Sequence, residues 1–359
     1  MSSPPEAPSV NDSGPLSGIA RLAAAAPRTL ERHAVDYYRL PVRSLLNRVN
    51  SPRVGFQWSI NPYRGCTFGC HYCYARYTHE FMELGAAEFE RRIYVKEDVA
   101  RVMWRDLTRN QVVGTRIAIG TATDPYQPAE KEFGRTRAVL ETLLEYAALL
   151  PGGSGLDLSL TTKSTLVLQD LALLQALDQR NRVQVNVTIT TVRPGLARAL
   201  EPGAPRPDLR LDAVRRLSAA GLRTSVFAAP VLPGITDRPG DLEALAAAAL
   251  DAGAASLMGH AVFLKPSAQR VFFPFLARRF PRLLRRYRRW YGRHAYAPSD
   301  YRKWLSGTLK GLRRKYGLVS AAGEGRARMP DHEALVEQLE MAFSNGGRKQ
   351  EAGANTGAG

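Results

Sequence analysis

With 359 residues, 45% hydrophobic and 23% charged, the chain has the balance of a globular protein large enough for one large α/β domain or two smaller ones, which excludes disorder throughout. No apolar run reaches the roughly 18 to 20 residues of a transmembrane helix, and the N-terminus lacks the basic-then-apolar order of a secretory signal, so a cytoplasmic protein is expected. The net charge of +17 is concentrated: positions 277–315 hold 14 Lys or Arg and one acid, Asp300, so +13 sits there and +4 on all the rest.

In chain order, positions 1–35 open on a stretch rich in Ser, Pro and Ala and read as a disordered tail. The alternating or β-branched runs 56–60, 116–120, 156–161, 183–190, 224–229 and 256–263 predict strands. Amphipathic stretches at 98–109, 136–150, 166–179, 211–220 and 242–252 predict helices between them. Gly221 and Gly253 stand where helix C-caps belong. Asp208, closing a proline-rich loop, is expected to cap the helix after it. Six strands alternating with helices imply a parallel sheet, wound as an open sheet or as a complete or partial barrel, with its chemistry at the strand C-terminal ends. This α/β core is assigned to 36–270. A basic helical region follows at 271–343, and a second tail at 344–359. Within the basic region Leu283, Leu284, Tyr287, Trp290 and Tyr291 recur at helical spacing, so one stripe packs and the arginines cover the remaining faces. Such a block suits a polyanion such as nucleic acid or an anionic membrane surface, or is a solvated helix.

The three cysteines, Cys66, Cys70 and Cys73, all fall within eight residues. An odd, tight cluster excludes a complete disulfide framework and points to metal or redox chemistry. By number alone the steps of four and three fit one helix face, but Asn61-Pro62, Gly65 and Gly69 predict a loop. Three thiolates on a four-iron cluster leave one iron open. The alternatives are zinc, with His71 or His79 as fourth ligand, or three inert thiols. Cys-x3-Cys-x-aromatic-Cys after the first strand of a β/α chain resembles the radical S-adenosylmethionine (SAM) superfamily. The fuller pattern, with Tyr72 and Tyr74, resembles its spore photoproduct lyase-like group over residues 40–265. The resemblance implies a partial (β/α)6 TIM-type barrel with a basic helical extension. It implies a [4Fe–4S] cluster on Cys66, Cys70 and Cys73, and SAM chelated at the open iron. An electron from the cluster then splits SAM into methionine and a 5′-deoxyadenosyl radical, which abstracts hydrogen from a substrate.

The same resemblance assigns residues in later loops. Tyr72 packs on the adenine and Tyr74 relays a radical, although either reads equally as an aromatic packed at a loop. In place of the Gly-Gly-Glu that holds the SAM ammonium in many members, this chain has a hydroxyl residue followed by Asp. These are Thr123 and Asp124, matching the lyase-like group, and Asp124-Pro125 reads equally as a turn. Lys163, after the third strand, matches a lysine that pairs with the SAM carboxylate. Asn186, Thr188 and Thr190 share one face of the fourth strand, which fits a strand lining a cavity or ordinary alternation on an exposed edge; Thr188 matches a SAM-contacting hydroxyl. Pro233 lies in the loop whose backbone reads the adenine edge. Glu201 and Arg210 pair with each other or contact ligand. His260 and Lys265 face substrate, or His260 is a satisfied core residue.

One departure limits the resemblance. The lyases carry a further cysteine just before the Thr-Asp pair, and Thr121 stands there. With no cysteine outside the cluster, no thiol returns a hydrogen atom and no second all-cysteine cluster forms. The radical-generating half of the chemistry carries over and the thymine-dimer half does not. Expected partners are an unidentified substrate, DNA or RNA along 278–315, and a reductant such as flavodoxin or ferredoxin, with no membrane. The competing reading is a zinc-stabilised nucleic-acid-binding protein without catalysis.

Overall fold

The computed structural model describes residues 16–32, 34–50 and 55–318. The tail expected at 344–359 and positions 319–343 of the basic region lie outside the described residues, as do 1–15 of the N-terminal tail. Residues 18–32 do not behave as a tail. They form α1 (Gly18–Ala24) and β1 (Arg28–Arg32), and β1 pairs antiparallel with β2 (Val35–Leu40). The alanines read as low complexity form an apolar helix face: Ala23 packs with Leu40, Met82 and Tyr94.

The chain continues through β3 (Leu46–Arg48), β4 (Trp58–Ile60), β5 (Tyr63–Arg64), α2 (Tyr77–Glu80), β6 (Arg92–Lys96) and α3 (Val99–Arg109). Next come β7 (Arg116–Ile119), α4 (Ala129–Phe133), α5 (Arg135–Ala148), β8 (Asp157–Thr162), α6 (Leu171–Asp178), β9 (Arg182–Thr188), α7 (Pro194–Leu200) and α8 (Pro207–Ala219). The last are β10 (Arg223–Val231), α9 (Pro239–Asp251), β11 (Ser256–Ala261), α10 (Pro266–Arg279), α11 (Pro281–Tyr291) and α12 (Ser299–Lys315). The larger sheet runs β11-β10-β9-β8-β7-β4-β3. Its strands β4, β7, β8, β9, β10 and β11 pair in parallel with their neighbours in sequence order, and β3 pairs antiparallel on the edge. Six parallel strands joined by helices are the wall of a partial (β/α)6 barrel, as the alternation predicts. A four-stranded sheet, β1-β2-β6-β5, stands beside it.

The wall has two chemically distinct faces. Val183, Val185 and Val187 of β9 enter the main core with Leu174 and Leu177 of α6 and Val214 and Leu217 of α8. The alternate residues turn inward and bond across strands. Asn186 Nδ2 donates to Ser159 Oγ at 2.9 Å, and Gln184 Nε2 donates to Ser225 Oγ at 3.1 Å. A strand with one polar face therefore lines the concave interior, where backbone pairing leaves side chains to satisfy one another.

Helix ends largely follow their sequence signals. Gly221 (φ +83°) and Gly253 (φ +74°) close α8 and α9, and the amides of Leu222 and Ala254 reach back to the Leu217 and Ala249 carbonyls, the double-bonded glycine stop. Asp208 is not the cap. Pro207, which needs no N–H partner, takes the first helical position, and Asp208 lies inside the first turn, paired with Arg206. The helix expected at 166–179 begins as a 3-10 turn, Thr165–Asp170, before α6. There Tyr126 OH and Arg137 bind the buried Asp170 carboxylate.

The boundary expected at 270/271 falls inside α10. Phe272, Phe275 and Leu276 of α10 and Tyr287 and Tyr291 of α11 share one apolar cluster with Cys66, Phe68, Cys70 and Tyr72. The C-terminal helices are thus built onto the cysteine loop. Leu283, Leu284 and Trp290 of α11 are half-buried beside Tyr287 and Tyr291, while Arg282, Arg285, Arg286, Arg288, Arg289 and Arg293 are exposed, the stripe that the spacing predicts. No helix of the described residues is long and apolar enough to cross a membrane.

Candidate active site

The cysteines lie in a loop, as Gly65 and Gly69 imply. Strand β5 pins the loop's entry to β6, with Tyr63 opposite Val95. The Tyr63 hydroxyl donates to Glu130 at 2.5 Å, and Glu130 also accepts the amides of Thr136 and Arg137 at the start of α5. Gly65 has φ +83°, and a Cβ there would stand 2.8 Å from both the Phe89 and Arg92 carbonyl oxygens, so only glycine fits. Two buried side chains then brace the loop. Arg76 donates to the Cys70 carbonyl at 3.1 Å and the Ala86 carbonyl at 2.7 Å. Gln127 donates to the Gly65 carbonyl and accepts the Thr67 amide, both at 3.1 Å. The Thr123 hydroxyl also donates to the Gly65 carbonyl, at 2.6 Å.

Cys66 and Cys70 are buried and Cys73 is half-buried. Burial pushes the Cys66 and Cys73 thiols up and holds the Cys70 thiol at about 12. Metal uptake must therefore expel protons from the loop. Neither candidate histidine joins the sulfurs. His71 stacks on Phe275 with ring centroids 4.3 Å apart. His79 bonds the Arg92 carbonyl through Nε2 at 2.9 Å, and burial lowers it to about 4, so it is neutral. Among the described residues no three His, Cys, Asp or Glu side chains converge as a single metal ion requires. A four-iron cluster places its thiolates on separate irons. The donor set, three enclosed sulfurs and no other cysteine, fits such a cluster with one iron left open.

Beside the loop, a buried charged network joins the ends of β8 and β9. The Tyr72 hydroxyl donates to Glu201 and contacts the Thr190 hydroxyl at 3.1 Å. Thr190 donates to Glu201 at 2.7 Å, and Arg210 pairs with Glu201 at 2.6 Å. Arg210 also donates to the Thr188 carbonyl at 3.0 Å and the Pro205 carbonyl at 2.7 Å. Burial alone would raise the Glu201 carboxyl, but Arg210, Lys163 and the two hydroxyls hold it down to about 2. Of the two roles expected for Glu201 and Arg210, they take the pairing one. Lys163 Nζ stands 5.9 Å from the Tyr72 ring centroid, with no hydrogen bond or ion pair of its own among the described residues. Burial would lower it, yet Cys70 and Glu201 nearby keep it charged, above its ordinary value.

Asp124 is occupied by the protein. It accepts the Thr162 hydroxyl at 2.6 Å, the Lys163 amide at 2.7 Å and the Tyr126 amide at 3.0 Å, so it ties the β7 loop to the strand end that carries Lys163. Thr188 is buried at the end of β9, and Asn186 lies one step deeper on the same face. Pro233 is buried in a loop held by two side-chain bonds, Thr236 Oγ1 with the Leu232 amide at 2.8 Å and Asp237 with the Gly234 amide at 2.7 Å. Tyr301 of α12 donates to Asp237 at 2.9 Å, fastening that loop to the basic helices. Tyr74 is 38% exposed, and its hydroxyl donates to the Thr121 carbonyl. His260 is exposed at the end of β11, and Lys265 Nζ lies 3.6 Å from the Tyr77 ring centroid. The structure thus groups the three cysteines with Tyr72, Lys163, Glu201 and Arg210, and leaves Tyr74, His260 and Lys265 at the rim. Sequence reading missed Arg76, Gln127 and Glu130. Each is a polar residue that looks like surface until the fold buries it.

A model described as the radical SAM superfamily matches residues 60–246, which span the cysteine loop, Lys163 and β5 through β10. An uncharacterized protein of Mycobacterium tuberculosis (strain H37Rv) is 35% identical over 335 residues, covering 92% of this chain and 95% of that one. An uncharacterized protein of Methanocaldococcus jannaschii is 29% identical over 203 residues, covering 56% of this chain and 70% of that one. Among solved structures, a spore photoproduct lyase variant with bound AdoMet and dinucleoside spore photoproduct gives a TM-score of 0.58 at 18% identity, covering 86% of this chain and 85% of that one. At that identity the likeness is one of fold. The cysteine loop, the parallel wall and the family match agree: the chain belongs to the radical SAM superfamily, whose cofactors are a [4Fe–4S] cluster and S-adenosylmethionine.

Proposed function

We propose that this radical SAM enzyme acts by hydrogen abstraction on a nucleic-acid substrate, with the cluster on Cys66, Cys70 and Cys73. When bound, the cluster and SAM supply a 5′-deoxyadenosyl radical, with the electron drawn from a flavodoxin- or ferredoxin-type donor. The observation that carries the reading is Lys163, a charged ammonium without an ion pair among the described residues, set beside Tyr72 of the cysteine loop. An anionic group there gains a charge-assisted bond that the protein itself leaves unmade. The SAM carboxylate is that group.

Each remaining residue has a defined task in this reading. Glu201 and Arg210 hold the Tyr72 ring in place for the adenine, and Glu201 favours the charged form of Lys163. Thr123 and Asp124 set the loop that faces the SAM ammonium. Both side chains are engaged by the protein, so the contact falls to their remaining lone pairs and to loop carbonyls. Thr188 and Asn186 offer polar groups along the interior face, and the backbone at Pro233 offers the adenine edge its partners. The apolar cluster around the sulfurs excludes water, which protects a radical from quenching. Tyr74, bonded to the Thr121 carbonyl at the rim, is the relay residue. No thiol stands at Thr121, so the lyase route in which a cysteine returns the hydrogen atom does not carry over.

Support for a nucleic-acid substrate comes from the C-terminal helices. Arg278, Arg279, Arg282, Arg285, Arg286, Arg288, Arg289 and Arg293 are exposed and have no acidic partner among the described residues. The test of the enzyme reading is anaerobic reconstitution, reduction in the presence of SAM, and chromatography for 5′-deoxyadenosine. Brown protein with about four irons per chain should form it, and Cys66→Ala, Cys70→Ala and Cys73→Ala should each lose both iron and product. A cysteine variant with full iron and activity refutes the ligand assignment. Colourless protein holding one zinc refutes the enzyme.

A further inference from the structure

Five aromatic rings form a continuous row whose middle member, Tyr74, is one residue beyond the cluster cysteines. Phe81 meets Tyr77 at 5.5 Å between centroids, Tyr77 meets Tyr74 at 6.3 Å, Tyr74 meets Phe263 at 6.0 Å, and Phe263 meets Tyr296 at 4.6 Å. Three of the five are open to solvent: Phe81 is 60% exposed, Tyr296 49% and Tyr74 38%. An apolar row of this length on a surface calls for a partner. It also lies where a substrate must enter. Tyr74 follows the first parallel strand, β4, and Phe263 follows the last, β11, so the row bridges the two ends of the open wall on the side of the strand C-termini.

Cations flank the rings. Lys265 Nζ sits 3.6 Å from the Tyr77 centroid, and the Arg302 guanidinium sits 5.8 Å from that of Tyr296. Tyr296 itself belongs to the segment between α11 and α12, inside the stretch that carries 14 Lys or Arg against one acid. Rings that offer faces, with cations beside them and a basic surface beyond, match a chain of flat bases on a phosphate backbone. In a duplex the base faces are already stacked, so they cannot cover these rings, and a base must leave the stack before its atoms reach an enclosed site.

We propose that the row from Phe81 to Tyr296 is a stacking platform for the unpaired bases of a single nucleic-acid strand, which delivers one nucleotide to the cysteine loop and lays its backbone on α11 and α12. This rests on the nucleic-acid reading above and narrows it to single-stranded or locally unpaired substrate.

The test is fluorescence anisotropy of the iron-loaded protein with a fluorescein-labelled DNA strand, and with the same strand annealed to its complement, at several salt concentrations. The strand should bind more tightly than the duplex. Phe81→Ala and Tyr296→Ala should each weaken strand binding by about 5- to 150-fold. They should leave the salt slope unchanged, because a ring releases no counterions. Circular dichroism and iron content establish that the variants are folded and loaded. Duplex bound as tightly as strand overturns the proposal, and so do ring variants with wild-type affinity. Wild-type protein that holds neither nucleic acid at low salt also overturns it and leaves the row to an acidic protein partner. Formation of 5′-deoxyadenosine by the same wild-type preparation is read separately, so failure of the platform is distinct from failure of the enzyme.

Discussion

Glu201→Gln removes one charge from a buried network and leaves its shape almost intact. Glu201 and Arg210 are each 1% exposed and 2.6 Å apart. The amide oxygen still accepts from Tyr72 and Thr190, and Arg210 keeps its two carbonyl acceptors. What is lost is the charge that compensates Arg210 and Lys163. The Glu201 carboxyl is held at about 2 against an ordinary 4.5. At 1.36 kcal/mol per pH unit that gap is worth about 3 kcal/mol at pH 6. Breaking one side of a buried pair costs about 3 to 5 kcal/mol by mutational experience, which agrees. The folded value is depressed, so the contribution is complete above about 4.5 and is lost as pH falls through about 2. At pH 3 only about 1 kcal/mol of it remains. Urea unfolding of wild type and variant, run from pH 6 to pH 3, should therefore show a stability difference that shrinks by more than half. A difference that stays constant across that range would refute the electrostatic reasoning. So would one below about 1 kcal/mol at pH 6.

Lys163→Ala should leave the iron content unchanged and weaken SAM binding by about 1.5 to 3 kcal/mol, the value of a charge-assisted hydrogen bond; unchanged affinity in calorimetry of the iron-loaded variant would make the lysine structural. Gly65→Ala drives a Cβ to 2.8 Å from two carbonyl oxygens at φ +83°. It should cost at least about 1 to 3 kcal/mol and lower iron incorporation. Wild-type iron content and melting temperature would show that the loop yields. Replacing Arg285, Arg286, Arg288 and Arg289 together with Gln should reduce the slope of log affinity against log salt for DNA by about 3 to 4; an unchanged slope would place the phosphate contacts elsewhere.

Much of the scaffold was legible because its signals are local. The six parallel strands appear within a few residues of their predicted bounds, since runs such as Val183 to Thr188 alternate over a single strand. The glycine stops at Gly221 and Gly253 are equally local. The cysteine spacing, Tyr72 and Lys163 could be matched to a family because each sits in a short motif after a strand. Where local composition misled, tertiary pairing overrode it. The Ala-rich stretch near the N-terminus became α1 because Leu40, Met82 and Tyr94 gave it a surface to cover. Asp208 fell inside the first turn because Pro207, which lacks an N–H, takes the first helical position and Arg206 the cap.

The sequence by itself determined the strands of the wall and the loop that holds the thiols, because spacing and side-chain chemistry act within a few residues. Only the tertiary structure decided what surrounds those thiols. Tyr72 and Glu201 are 129 residues apart and bonded. Gln127 braces a loop 62 residues upstream, at Gly65. The basic helices, read as an appendage, share their apolar cluster with Cys66 and Cys70. A buried polar group must find its partner wherever the chain brings one. Spacing along the sequence carries no record of that partner, because the contact exists only once the wall has curved and the helices have closed over the loop.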